Sequence, residues 1–211
     1  MITLYTWTTP NGRKISVALE EMGLQYEVKP VNIGADEQFQ PAFLAVSPNN
    51  KIPAIVDHDA PGGPLSVFES GAILVYLGEK SGKFLPASGP ARVAVLEWLF
   101  WQVGGIGPML GQLNYFAMRA PERVPLAVDR VRDEALRLLG VMEKRLAAVP
   151  YLGGGGYSIA DMATYTWVSA ALGLVRAAAG ELMPALPSVD RWIAELAARP
   201  AVQRGMAVPA V

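Results

Sequence analysis

Two stretches of this chain carry residue types that could grip a small peptide: Asn49-Asn50-Lys51-Ile52-Pro53-Ala54-Ile55 and Phe68-Glu69-Ser70-Gly71-Ala72-Ile73. A proline entering a strand frames a backbone edge on which an extended peptide can pair as an added strand. An acidic residue beside a hydroxyl at the mouth of a helix can meet both halves of a zwitterion. The carboxylate takes the ammonium, and the hydroxyl with the free N–H groups of the first turn takes the carboxylate. The 211-residue chain has no cysteine, so any thiol in its chemistry must arrive with a ligand.

Composition removes several other chemistries. With 52% hydrophobic and 18% charged residues, the chain can bury one large core or two modest ones. A formal net charge of -1 leaves no excess of Lys and Arg for a nucleic-acid footprint, so nucleic acid is not expected as a partner. The N-terminal run Met1-Ile2-Thr3-Leu4-Tyr5-Thr6-Trp7 reads as a strand and not as a targeting segment, which points to a cytoplasmic protein. His58 is the one histidine, so a histidine-rich metal site is excluded and no metal is expected. Trp98 to Met118 is uncharged and long enough to span a bilayer, but Gln102, Gln112, Asn114 and the run Gly104, Gly105, Gly107, Pro108 predict a buried, kinked helix without a membrane partner.

The elements that would position the two stretches follow from periodicity. Ile2 to Trp7 predicts a strand; Ile15, Ala18, Leu19 and Met22 recur at helical spacing, with Gly23 to close the helix; Tyr26 to Val31 predicts a second, parallel strand. Phe39, Phe43 and Leu44 suggest a short irregular helix. Ala54–Asp57 and Leu65–Phe68 flank Ala60-Pro61-Gly62-Gly63-Pro64 and predict a β-hairpin, after which Ile73, Tyr76 and Leu77 return to helical spacing. The order is βαβαββα, an α/β unit that resembles the thioredoxin-like fold.

Residues 81–89 are rich in Gly, Pro and Ser and predict a linker between a domain at 1–80 and an all-helical domain at 90–211. Pro125 opens a helix whose apolar face runs from Val128 to Leu146, with Arg130/Glu134 and Asp133/Arg137 as i,i+4 pairs on its wet side. Gly153 to Gly156 is a linker, lacking the preceding strand and following Lys of a phosphate loop. Ser158-Ile159-Ala160-Asp161 forms a capping box that starts the core helix of the second domain, and Pro187 to Pro200 completes the bundle.

These segments together resemble a cytosolic glutathione transferase over essentially the whole length. Thr9-Pro10-Asn11-Gly12, the run Ser47 to His58, and Leu99-Phe100-Trp101-Gln102-Val103-Gly104-Gly105 are similar to the bacterial nu class. That resemblance implies glutathione, reduced or as its disulfide, as cosubstrate, and glutathione-dependent disulfide-bond reductase activity. It also implies a homodimer. Conjugation of glutathione to electrophiles, peroxide reduction, and a non-enzymatic binding or regulatory role are the alternatives on the same scaffold.

Within that resemblance each residue has a physical task. A cis Pro53 would turn Ile52 so that its N–H and C=O face a peptide, and Glu69 and Ser70 would hold the γ-glutamyl ammonium and carboxylate. Gln38, Lys51 and Arg130 are implied as polar contacts to the tripeptide, with Arg132 in reserve. Thr9 and Asn11 would lie at the ligand sulfur, where a hydroxyl, an amide N–H and a helix N-terminus stabilise a thiolate. Local sequence equally allows Thr9 and Asn11 simply to cap the helix and turn the chain. Tyr5 is a sulfur-supporting type, but its place inside a strand predicts a core role.

Overall fold

Ile2–Thr6 is buried at four of its five positions because it forms β1, an inner strand with neighbours on both sides. The computed structural model describes residues 1–211. β1 pairs in parallel with β2 (Tyr26–Pro30) and antiparallel with β3 (Ala54–Asp57), which pairs antiparallel with β4 (Leu65–Phe68); the order is β2-β1-β3-β4. Between β1 and β2 runs α1 (Pro10–Met22), whose Ile15, Ala18, Leu19 and Met22 are all buried and which Gly23 ends at φ 69°. The expected irregular segment is two 3-10 turns, Ile33–Ala35 and Glu37–Phe39, followed by the single-turn α2 (Pro41–Leu44). α3 (Ser70–Ser81) follows β4 directly and closes at Gly82. The α/β order read from the sequence is the one observed.

The remaining helices are α4 (Gly89–Trp101), α5 (Gly107–Asn114), α6 (Pro125–Ala148), α7 (Ile159–Ala179), α8 (Pro187–Ala197) and α9 (Pro200–Met206). The chain divides into two units, Met1–Ala87 with Ala197–Val211, and Ser88–Leu196. The sequence groups everything after residue 90 together, whereas α9 packs against α1 within the first unit. Close approach requires Gly205: a Cβ there would stand 2.5 Å from the Val17 Cα. The Ser16 hydroxyl donates to the Gly205 carbonyl at 2.7 Å, and Arg199 and Arg204 pair with Glu21 and Glu20 at 2.6 and 2.7 Å. The sequence reading ends its last helical pattern at Pro200, so α9 and its packing partner both emerge only from the structure.

In the second unit, Asp161 is fully buried at the start of α7. Its carboxylate accepts from the Ser158 N–H and hydroxyl at 3.0 and 2.9 Å, from the Leu152 N–H at 2.9 Å and from the Trp192 indole N–H at 3.0 Å, closing the expected capping box. One acidic residue thereby ties three segments together.

Two sequence expectations are corrected here. The stretch Trp98–Met118 carries π-helical turns at Gln102–Ile106 and Tyr115–Arg119, and it is not buried throughout. The helical run Gly89–Arg119 is long and apolar enough to cross a membrane by length and composition, and 33% of its most apolar window is buried. Burial is one-sided: Leu99, Gln102, Ile106, Leu110 and Leu113 face inward, while Phe100, Tyr115 and Met118 are exposed. A Cβ at Gly105 or Gly111 would meet Leu138 or Trp167 at ordinary van der Waals distance, whereas one at Gly107 would stand 2.9 Å from the Gln102 Nε2. On α6, Arg137 grips Glu134 with two hydrogen bonds of 2.7 Å and Arg132 reaches both Asp129 and Asp133, while of the expected i,i+4 pairs Arg130 acts on Glu134 through its charge.

Candidate functional site

Antiparallel register brings the two peptide-gripping stretches to one end of the sheet. Ala54 opens β3 opposite Phe68, the last residue of β4, so Pro53 and Glu69 each lie one step beyond that pair. Ala54 also pairs with Tyr5, which puts the exit of β1 toward Thr9 at the same end. The segment entering β3 is held by its own turn: the Ser47 hydroxyl donates to the Lys51 carbonyl at 2.8 Å, and the Asn50 N–H donates to the Ser47 carbonyl at 2.9 Å. Asn50 adopts φ 49°, a conformation that Asn tolerates better than most residues. The Ile52–Pro53 peptide is cis, as the residue context predicts.

Asn11, Lys51, Ile52, Pro53, Phe68, Glu69 and Ser70 line one pocket of about 150 Å³. Six of the nine residues singled out from sequence therefore meet in one place. Its chemistry is graded: Pro53 and Ser70 are buried, Asn11 and Ile52 half-buried, and Lys51 and Glu69 exposed. Glu69 precedes α3 at φ 71°, ψ 116°, a conformation costly for a residue with a Cβ and concentrated in proteins at ligand-holding positions. Glu69 and the first turn of α3, whose N–H groups have no partner within the helix, thus share one mouth of the pocket.

Thr9 sits at the N-cap of α1, next to the pocket-lining Asn11. Its oxygen accepts the Gly12 N–H at 3.2 Å, and Pro10 occupies the first helical position. Capping uses a lone pair of the hydroxyl and leaves its hydrogen to donate, so cap and anion contact are compatible tasks. Gly12 is required: a Cβ there would lie 2.4 Å from both the Thr6 Oγ1 and the Trp7 carbonyl. The N-terminus of α1 is thus pressed against the end of β1, with its dipole directed at this corner.

Four other residues considered from sequence do not line this pocket. Gln38 is in the Glu37–Phe39 turn, its amide nitrogen 3.4 Å from Asp36 and its Oε1 buried without a hydrogen-bond partner. Arg130 is exposed on α6 and lines a groove of about 850 Å³ with Met109, Leu126, Asp129, Val131, Asp133, Glu134 and Arg137, within the second unit. Arg132 is engaged by Asp129 and Asp133. Tyr5 packs against Phe43 at 6.0 Å between ring centres, with the Lys29 ammonium over its face, consistent with a packing role.

The sequence reading passed over Lys14. It is 2% exposed, on α1 one turn after Asn11, and its Nζ donates to the Ser70 Oγ at 3.2 Å. Burial pulls its pKa down to about 7, against the opposing pull of the Glu69 charge. The available signal was a lysine directly before the apolar and small-residue run Ile15-Ser16-Val17-Ala18-Leu19, three positions after a candidate ligand residue.

Comparison with known proteins places this geometry in a context. A family model described as the glutathione S-transferase N-terminal domain matches residues 1–79, and one for the glutathione S-transferase C-terminal domain matches residues 125–195. The chain is 50% identical over 208 residues to the disulfide-bond oxidoreductase YfcG of Escherichia coli, covering 98% of this chain and 94% of that protein. A crystal structure of a glutathione transferase family member from Pseudomonas fluorescens, with two glutathione molecules bound, superposes with a TM-score of 0.93 at 46% identity, over 99% of this chain and 93% of that one. A glutathione transferase from Pseudomonas putida, with one glutathione disulfide per subunit, superposes with a TM-score of 0.92 at 43% identity, over 99% and 91% of the two chains.

Proposed function

The chain belongs to the glutathione S-transferase family, and from that premise we propose that it is a glutathione-dependent disulfide-bond reductase in which the ligand supplies every reacting sulfur. The observation that carries the reading is the pocket formed by Asn11, Ile52, cis Pro53, Glu69 and Ser70 in a chain without cysteine. At about 150 Å³ it suits the γ-glutamyl end of the tripeptide, with the remainder lying along the Ile52 edge. The Glu69 carboxylate takes the ammonium, and the Ser70 hydroxyl with the α3 N–H groups takes the carboxylate. Anchored so, the cysteine sulfur falls toward Thr9 and Asn11, where a hydroxyl, an amide and the α1 dipole favour thiolate over thiol.

The reaction is two exchanges. A glutathione thiolate attacks one sulfur of a disulfide, expelling the other as thiolate and leaving a mixed disulfide. A second glutathione thiolate attacks the mixed disulfide at the glutathione sulfur, giving glutathione disulfide and releasing the second substrate thiolate. Two glutathiones are oxidised and one disulfide is reduced, so electrons balance without a protein thiol. The protein binds, aligns and lowers the pKa of the attacking sulfur. The Thr9, Asn11, Glu69 and Ser70 roles, the nu-class placement, a homodimer, and cytoplasmic location, where glutathione is kept reduced, all belong to this proposal. Exposed Val93 and Phe100 on α4 supply apolar surface of the kind a dimer covers.

The test is glutathione-dependent reduction of a small disulfide, run beside a conjugation substrate and a hydroperoxide. Disulfide reduction as the main activity, reduced about 100-fold in Asn11→Ala with little change in glutathione affinity, is the expected result for a lost thiolate contact. Dominant conjugation or peroxide reduction would transfer the reading to those reactions. Binding without turnover on any substrate would make the protein a glutathione-binding module.

A further inference from the structure

Lys14 has no task in the reaction just described, yet it is a buried ammonium that donates to a wall of the ligand pocket. Fully burying a lysine is costly unless something is gained from its charge. An ammonium has donors and no acceptor, so in its contact with Ser70 the serine oxygen must accept. The serine hydrogen is then directed away from Lys14, and Ser70 lines the pocket. Resting on the glutathione-binding reading above, we propose that Lys14 is the positioning residue and buried counter-charge of the γ-glutamyl carboxylate subsite: it orients the Ser70 hydroxyl as a donor and selects ligands that carry an anion there.

Electrostatic surroundings support this assignment. Of the elements packed on α1, α3 presents Glu69 at its mouth, the charge that acts on Lys14, and Tyr76, Glu79 and Lys80 further along; Tyr76 and Lys80 are engaged with Asp57. α9 presents Arg199 and Arg204, which pair with Glu21 and Glu20 in the last turns of α1, and β1 presents Tyr5. Glu69 is assigned to the ligand ammonium, so an incoming carboxylate on Ser70 would be a closer opposite charge for Lys14. Because burial holds Lys14 near neutrality in pKa, the anion must bind the protonated form, and its affinity declines as pH rises through 7.

The experiment is calorimetric titration with S-methylglutathione, which has no titrating thiol, and with its analogue lacking the γ-glutamyl α-carboxylate. Wild-type protein should prefer the intact ligand by about 10- to 100-fold, the range of a charge-assisted hydrogen bond. In Lys14→Met this preference should fall to about threefold or less while affinity for the carboxylate-free analogue barely changes, since only the carboxylate contact is lost. Equal weakening of both ligands, or an unchanged preference, overturns the assignment. Should Lys14→Met fail to fold, the wild-type preference decides: it should shrink between pH 6 and 8.5, and a preference constant over that range overturns the assignment. Failure of wild-type protein to bind S-methylglutathione at all would instead remove the glutathione reading itself.

Discussion

Two buried charges, one in each unit, are treated oppositely. Asp161 in the second unit receives four hydrogen bonds from groups that belong to the fold: two N–H groups, a serine hydroxyl and an indole. Lys14 in the first unit reaches Ser70, which borders an open pocket. Both sit on helices and both are nearly inaccessible. A buried charge satisfied wholly from within is a structural tie, whereas one whose partner faces a cavity leaves part of its field for a ligand. Stability and binding should therefore separate cleanly between the two sites.

The largest break of this comparison is Asp161→Ala. It removes the acceptor for the Leu152 and Ser158 N–H groups and for the Trp192 indole at once, leaving them buried. Loss of about 3–5 kcal/mol is expected for breaking such a network, measured by urea denaturation. The glutathione affinity of the molecules that remain folded should be unchanged, because the pocket lies in the other unit. A specific fall in affinity with little loss of stability would erase the distinction.

Lys14→Met should do the reverse. Replacing a buried ammonium by an apolar side chain of similar length removes its desolvation cost, so a gain of about 1–2 kcal/mol near pH 6 is expected while glutathione binding weakens. The pH dependence has a definite sign. The folded pKa, about 7, lies below the unfolded value of about 10.5, so between these the unfolded chain holds more protons and wild-type stability rises with pH. The advantage of the variant should shrink from pH 7 to 10. An advantage that grows over that interval would mean that Lys14 remains charged when folded.

Asp57 lies between the two extremes. Burial acts to raise its pKa, but hydrogen bonds from Lys80 and Tyr76 outweigh it and hold the carboxyl below its usual range, while Tyr76 is pushed up to about 12. A depressed carboxylate contributes stability above its unfolded pKa and loses it as pH falls through the folded one. Asp57→Asn should cost about 1–2 kcal/mol at pH 7, the worth of hydrogen bonds to a charged group, and less as pH drops below 4. Denaturation midpoints from pH 2 to 7 for both proteins would reveal a constant difference if this ion-pair account is wrong.

How much of this was legible in sequence depends on the range of the interaction. The Ile52-Pro53 edge, the Glu69-Ser70 helix mouth and the Ser158–Asp161 capping box are written in residues one to four apart, and the hairpin register then had to bring the first two together. Lys14 was passed over because a lysine amid apolar helix positions is ordinarily a solvated stem, and its partner is 56 residues away. The α9 contact with α1 depends on Gly205 meeting Val17, which no periodicity records. One-sided burial of Gly89–Arg119 escaped for a related reason: uniform hydropathy states that a helix is apolar, not which face is covered.

The exposed charges of α6 complete the series and should show the smallest effect. Arg132 contacts Asp129 and Asp133 at 2.7 Å, as short as any ion pair around Asp57, yet both carboxylates are more than half exposed, at 56% and 62%. Water and salt compete for each group, and holding three side chains in one arrangement costs entropy. Arg132→Ala should leave the denaturation midpoint within experimental error in 0.15 M salt, where the screening length is about 8 Å. A clear loss of stability, abolished by added salt, would show that the carboxylate cluster on this helix is held together by the arginine. Short distance would then count for more, and solvent exposure for less, than the contrast between Asp161 and Lys14 implies.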